Sequence, residues 1–341
     1  MTIKASEAPE QLSIVLEAGL VPFLTGAPGI GKSDIIKAIA DEHNLELIDI
    51  RLSQLDPVDL NGFPTLKGDR SVFLPSSLFP LEGDALPEGK DGFLLFFDEF
   101  NSAPLSVQAA SYKIILDKYV GGHKLHEECY IVAAGNTLAD KAIVNRLSTA
   151  MQSRLVHLEL STDHVSWLKW ARNHKINPFI LSFIEFQPDR VMNFDPNHSE
   201  HTFACPRTWT FLNELSKSDR FEFERNTAII EGTIGEGVAN EFLGFIGQIE
   251  TLTPLSELIR KPLDAIVPTK VDTLFAVTAM FSNQEALDNL SEVMKYIERL
   301  PLEYQVIALR NIIAFGDNTS VMMDIPEISQ WIKDHQNELA G

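Results

Sequence analysis

Hydrophobic and polar positions divide the chain into two regimes. From about residue 20 to 160, short apolar runs alternate with helical stretches, which predicts a parallel sheet covered on both faces. The predicted strands are Val21–Leu24, Leu45–Arg51, Phe93–Phe97, Tyr130–Ala134 and Leu155–Leu160. Helices are expected over Ser33–His43 and Pro104–Asp117, the second capped by Asn101 or Ser102 and opened by Pro104. The Pro- and Gly-rich segment Asp56–Asp91 carries few helix or strand signals and is read as loop with small insertions. After residue 161 the alternation stops. Amphipathic helices are expected over His164–His174, Pro178–Phe186 and Pro206–Lys217, and helical character continues from Asn226 with breaks at Pro254, Pro262, Pro268, Pro301 and Pro326. The expected organisation is an αβα domain over 1–160, a first helical domain over 161–225 and a further helical region over 226–341.

The most informative run is Gly26-Ala27-Pro28-Gly29-Ile30-Gly31-Lys32-Ser33, set between the first predicted strand and the first predicted helix. Its glycines permit a tight turn, so that consecutive backbone N–H groups and the helix N-terminus face a phosphate chain. Lys32 adds a mobile positive charge for the β- and γ-phosphates, and the Ser33 hydroxyl is a ligand for Mg²⁺. The ligand expected on this ground is a nucleoside triphosphate with Mg²⁺. The apolar run Phe93–Phe97 then delivers Asp98 and Glu99 to a strand end. Asp98 is placed to hold Mg²⁺ through its water shell, and Glu99 is the candidate general base for an attacking water. The strand Tyr130–Ala134 ends in Gly135-Asn136, whose amide can donate and accept near the γ-phosphate without adding charge, provided this strand lies beside the one carrying Asp98.

With these elements in order, the chain resembles the AAA+ ATPases, and specifically their MoxR branch. The segment from Asp49 to Pro64 resembles that branch's insertion; the likeness continues through Asp98-Glu99-Phe100-Asn101-Ser102-Ala103-Pro104, Gln108-Ala109-Ala110 and Gly232–Gly237, covering nearly the whole chain. The resemblance implies that Arg154 is an arginine finger reaching a neighbouring subunit's nucleotide, and that Arg207 is a second sensor on the helical lid, acting in its own subunit. Arginine suits both roles because its planar, permanently charged fork follows charge spreading over phosphoryl oxygens, and a finger is worth about 10³ to 10⁵ in rate. Arg146 is a further cation, either contacting the neighbouring site or supporting Arg154. Thr137-Leu138 depart from the family, which often has another polar residue after the sensor asparagine. The implied assembly is a ring, expected to be hexameric, that hydrolyses ATP to remodel a separate partner protein, with a von Willebrand factor A-like domain in the partner as the family's usual pattern.

Composition narrows the alternatives. The 341 residues are 45% hydrophobic and 22% charged, as in an ordinary globular protein, with no apolar run long enough for a membrane span and no signal-peptide pattern, so a cytoplasmic location is expected. Two cysteines, Cys129 and Cys205, make no disulfide framework. The formal charge of −20, from 48 acidic and 28 basic residues, argues against a nucleic-acid motor, the main rival reading. A small-molecule kinase would not need Asn136, Arg154 and Arg207 in this order. His123, His126 and Cys129 lack the fourth ligand and paired spacing of a closed zinc site, and with Gly121-Gly122 they read as a hairpin. Trp167, Trp170, Phe179, Trp209 and Phe211 are read as lid-domain core rather than a base-stacking surface.

Overall fold

The computed structural model describes residues 2–140, 144–249, 251–316 and 326–335. Its contacts divide it into two units, Met1–Asp163 with Asp195–Asn197, and His164–Phe194 with His198–Gly341.

The first unit is α/β. Six strands, β1 (Thr2–Lys4), β2 (Pro22–Thr25), β3 (Leu45–Arg51), β6 (Gly92–Asp98), β9 (Cys129–Gly135) and β10 (Val156–Ser161), form a parallel sheet in the order β1-β10-β2-β9-β6-β3. Two short antiparallel hairpins supply the intervening strands: β4 (Phe63–Lys67) with β5 (Arg70–Leu74), and β7 (Tyr119–Val120) with β8 (His123–Lys124). The five strands read from the apolar runs all form, each within a residue of its expected limits. The edge strand β1 and the helix α1 (Ala8–Glu17) were not foreseen, because three residues with one apolar side chain carry no recognisable period.

The continuous apolar run of β6 reflects burial on both faces. Phe93, Leu95 and Phe97 join one core with Phe23, Ile131, Ala133 and Ile114, whereas Leu94 and Phe96 join the other with Leu24, Val132, Leu12, Ile36 and Ile39. Side chains of a strand alternate between faces, so one sequence run fills two cores. The second core is covered by α1 and by α2 (Lys32–Glu42). The first is covered by α4 (Leu105–Asp117), which contributes Val107, Ile114 and Ile115.

The expected cap of that last helix is corrected. A 3-10 turn over Phe100–Ser102 intervenes, Pro104 occupies the capping position without a side-chain bond, and the Asn101 amide is turned toward the end of β9. The segment 56–91 contains the small insertions expected: a five-residue helix, α3 (Pro57–Asn61), opened by a reciprocal Asp56 and Asp59 capping box, and the β4-β5 hairpin. That hairpin leaves Phe63, Leu66, Phe73 and Leu74 exposed.

The described residues of the second unit form helices joined by turns and loops, with no strand among them. Helices His164–Asn173, Pro178–Phe186 and Pro206–Ser216 match the periodic segments, and after residue 226 the helices run over Thr227–Ile234, Glu236–Ile249, Leu255–Arg260, Val271–Met280, Gln284–Asp288, Leu290–Ile297, Leu302–Gly316 and Pro326–Asp334. Pro326 stands at the first position of the last described helix, where a missing N–H costs nothing. Trp167 and Trp209 share a core with Phe183, Ile230, Phe242 and Phe245, so residues on both sides of position 225 pack into one cluster. Among the aromatic residues expected there, Phe211 is exposed and Trp170 stacks on His174 at 4.3 Å between centroids.

The two-faced burial of β6 makes a measurable claim. Phe96→Ala, at a fully buried position, should destabilise the sheet unit by about 3–5 kcal/mol, whereas Leu66→Ala on the exposed hairpin should shift it by less than about 0.5 kcal/mol. Urea denaturation, with amide exchange of β9 as the local reporter, checks both.

Candidate active site

Parallel strands put all their C-terminal ends along one edge of a sheet, which is where open α/β sheets hold ligands. Here that edge carries the loop after β2, Arg51 at the end of β3 with Ser53 beyond it, Asp98 at the end of β6 with Glu99 beyond it, and Asn136 after β9. The sheet order sets β9 directly between β2 and β6, with Phe23 opposite Ala133 and Phe97 opposite Ala133 across the two ladders. The condition placed on Asn136 is therefore met: its strand lies beside the strand of Asp98.

The loop Gly26–Ser33 leads from β2 straight into α2, whose capping position is Gly31 at φ 104°, a left-handed conformation that glycine adopts without a Cβ penalty. Lys32, the first residue of the helix, is buried. Its Nζ donates to Gly26 O at 2.7 Å, to Ala27 O at 3.1 Å and to Asn136 Oδ1 at 3.1 Å. Three ammonium hydrogens thus have three oxygen acceptors, and the loop of one strand is joined to the end of its neighbour. Ser33 Oγ lies 3.4 Å from Asp98 Oδ2. A hydroxyl and a carboxylate at the head of a glycine-rich loop are hard oxygen donors, the set that suits Mg²⁺.

Glu99 has φ 53° and ψ 32°, a left-handed conformation uncommon outside glycine. The turn is held on both sides. Its N–H donates to Asp98 Oδ1 at 2.8 Å, and its carbonyl accepts from the N–H groups of Ser102 and Ala103 at 2.9 and 3.2 Å. Such local strain, where it is held by surrounding bonds, turns a side chain in a direction that a continuing strand would not. Glu99 Oε2 accepts a hydrogen bond from the Ser53 hydroxyl.

Ser53, Asp49 and Asn101 were missed as members of this site. Ser53 sits in the 3-10 turn after β3, and only the pairing of β3 with β6, Arg51 opposite Asp98, brings it to Glu99. On the same strand Asp49 is held above the usual carboxylate range, first by burial and then by the negative charge of Asp98, with Arg51 acting in the opposite direction. Asn101 was read only as a helix cap. A polar residue a few positions past a buried acidic strand end was the available signal, but its partner lies 35 residues away.

Arg146, Arg154 and Arg207 are each exposed within their own unit. Arg154 is exposed on the first unit, at the end of the short helix α5 (Thr149–Gln152), and its Nη1 donates to Ala150 O at 2.5 Å. Arg146 is likewise exposed, following Asn145, whose N–H donates to Asn101 O at 2.6 Å. Arg207 is exposed on the helix Pro206–Ser216 of the second unit. Cys205 and Cys129 are both buried, and burial pushes the Cys129 thiol up to about 11. The segment 119–124 forms the expected hairpin.

No family model and no curated protein matches the chain. Among solved structures it is similar to a candidate ATPase from Cytophaga hutchinsonii ATCC 33406, with a TM-score of 0.37 and 16% identity over 96% of this chain and 79% of that one. It is also similar to a single-residue mutant of RuvB from Thermotoga maritima, with a TM-score of 0.41 and 16% identity over 86% of this chain and 88% of that one. No described helix is long and apolar enough to cross a membrane.

The geometry makes Lys32 the principal cation of the loop. Lys32→Ala should weaken binding of a fluorescent triphosphate by about thirtyfold or more, the cost of losing a buried charge contact, with the sheet unit still folded by circular dichroism.

Proposed function

We propose that this chain is an ATP hydrolase of the AAA+ type. The observation that carries the reading is the convergence, at one sheet edge, of a glycine-rich loop with Lys32, the Ser33 and Asp98 oxygen pair, Glu99 and Asn136. A loop alone would support nucleotide binding. The added carboxylate and amide are what hydrolysis requires: a base that orients water, and a neutral hydrogen-bonding group at the γ-phosphate.

In this reading the backbone N–H groups of Gly26–Ser33 and the Lys32 ammonium bind the phosphates. Lys32 exchanges acceptors it already holds, the carbonyls of Gly26 and Ala27, for phosphate oxygens. Ser33 and Asp98 would hold Mg²⁺, which supplies neutralisation of charge on the phosphates. Glu99 takes the proton of the attacking water, and its left-handed backbone keeps its carboxylate distinct from that of Asp98. Asn136, already in contact with Lys32, orients water and γ-phosphate together.

The finer reading is a MoxR-like remodelling factor. Arg154 is exposed and bonded only to its own helix among the bonds described here, which suits a group that acts on a neighbouring subunit's nucleotide. That favours a ring, with six subunits as the family pattern, and Arg207 would act as sensor within its own subunit. The −20 charge favours a protein partner, with a von Willebrand factor A-like domain, over nucleic acid, and a cytoplasmic setting completes the proposal.

Glu99→Gln should retain MgATP and assemble normally while hydrolysing it at least about a hundredfold more slowly, within the usual range for removal of a general base; turnover at the wild-type rate would remove Glu99 from its role. Held in MgATP, the same variant is a bait: a protein released on nucleotide removal supports remodelling, and nuclease-sensitive nucleic acid supports a motor. Arg154→Ala should bind ATP normally yet lose about 10³-fold or more in rate. Mixing it with Lys32→Ala subunits should restore part of the activity, since each supplies what the other lacks; failure to rescue at any mixing ratio rejects action between subunits.

A further inference from the structure

An amide can orient a water and a phosphate only if its own backbone is fixed, since a misplacement of about 1 Å can cost about a hundredfold in rate. The ladder that aligns β9 with β2 reaches Gly135 and goes no further. Asn136 therefore stands one residue beyond the bonds that hold its strand. The side chain of Asn101 takes their place. Asn101 Nδ2 donates to Asn136 O at 2.8 Å, and Asn101 Oδ1 accepts from Asn136 N at 3.3 Å. One side-chain amide thus supplies both bonds that a neighbouring strand would have given.

Gly135 is shaped to this contact. A Cβ there would fall 2.1 Å from Asn101 Oδ1 and 2.7 Å from its Cγ, closer than any side chain tolerates. Asn101 itself is buried, its backbone set by the turn that Glu99 begins. Its carbonyl accepts from Asn145 N at 2.6 Å, and Asn145 Nδ2 donates to Ala103 O at 2.9 Å. The residue after Asn145 is Arg146, and the described chain then runs through α5 to Arg154.

We propose that Asn101 is a positioning residue: it locks the Asn136 backbone so that the Asn136 amide faces Lys32, and through Asn145 it ties that strand end to the segment bearing Arg146 and Arg154. This rests on the ATPase reading above. Only asparagine has the required pair of groups at this length. Aspartate would face the Asn136 carbonyl with a second acceptor, and alanine would offer neither bond.

The test uses the full-length protein with ATP as the probe. Asn101→Ala should lower kcat about a hundredfold with the ATP dissociation constant nearly unchanged, because phosphate binding by Gly26–Ser33 is left intact. Combining it with Asn136→Ala should add little further loss, since both act through one amide. Asn101→Asp, equal in size, should lose kcat in the same way. Wild-type kcat in the folded Asn101→Ala or Asn101→Asp protein, a fully multiplicative loss in the double variant, or failure of both single variants to fold would each overturn the proposal. Glu99→Gln is assayed alongside. If it turns over normally, the ATPase reading itself fails; if it is inactive while Asn101→Asp is fully active, only the role of Asn101 falls.

Discussion

The site depends on a buried ammonium. Lys32 begins a helix, yet its ammonium bonds to the loop before that helix and to the end of a different strand. Burying a charge without partners is costly, so the loop carbonyls and the Asn136 amide must be present together for this packing to hold. That requirement fixes β2 and β9 as neighbours at the end where it matters. It also means that the group expected to meet a phosphate is already aligned with the group expected to read it.

Around that contact, acidic residues are held apart by backbone geometry. Asp98 continues its strand and lies against Ser33, whereas Glu99 leaves the strand in a left-handed turn and meets Ser53. Two adjacent carboxylates would otherwise share one environment and repel. Arg51, opposite Asp98 in the ladder, offsets part of the negative charge that Asp49, Asp98 and Glu99 bring to the same edge. Lys32, Ser33, Glu99 and Asn136 are each bonded to a residue from another strand or turn.

Among the described residues of the second unit, the apolar packing encloses a buried charged contact. Glu185 bonds to Arg172 within the helical core; burial raises its carboxyl above the usual range and the arginine opposes that shift. Truncating either partner would leave an uncompensated charge, which is more damaging than the net worth of the pair. Trp209, fully buried, satisfies its indole N–H on Arg190 O at 2.9 Å, so its place in the core involves no stranded donor.

The sequence by itself determined the α/β class of the first unit, the five main strands and most helices. The reason is that burial on two faces leaves a continuous apolar run such as 93–97, and burial on one face leaves a helical period. It also marked the glycine-rich loop between β2 and α2, because glycine spacing and a following Lys-Ser are local facts. Tertiary structure alone decided the rest. Strand order has no local signature, so the adjacency of β9 and β6 had to be seen; β1 is too short to carry a pattern. Ser53 and Asn101 join the site only through partners 46 and 35 residues away. The same asparagine that looks like a helix cap in the sequence becomes, once β9 is in place, the donor and acceptor to an unladdered peptide, because hydrogen bonds are settled by what the fold brings near and not by what stands next in the chain.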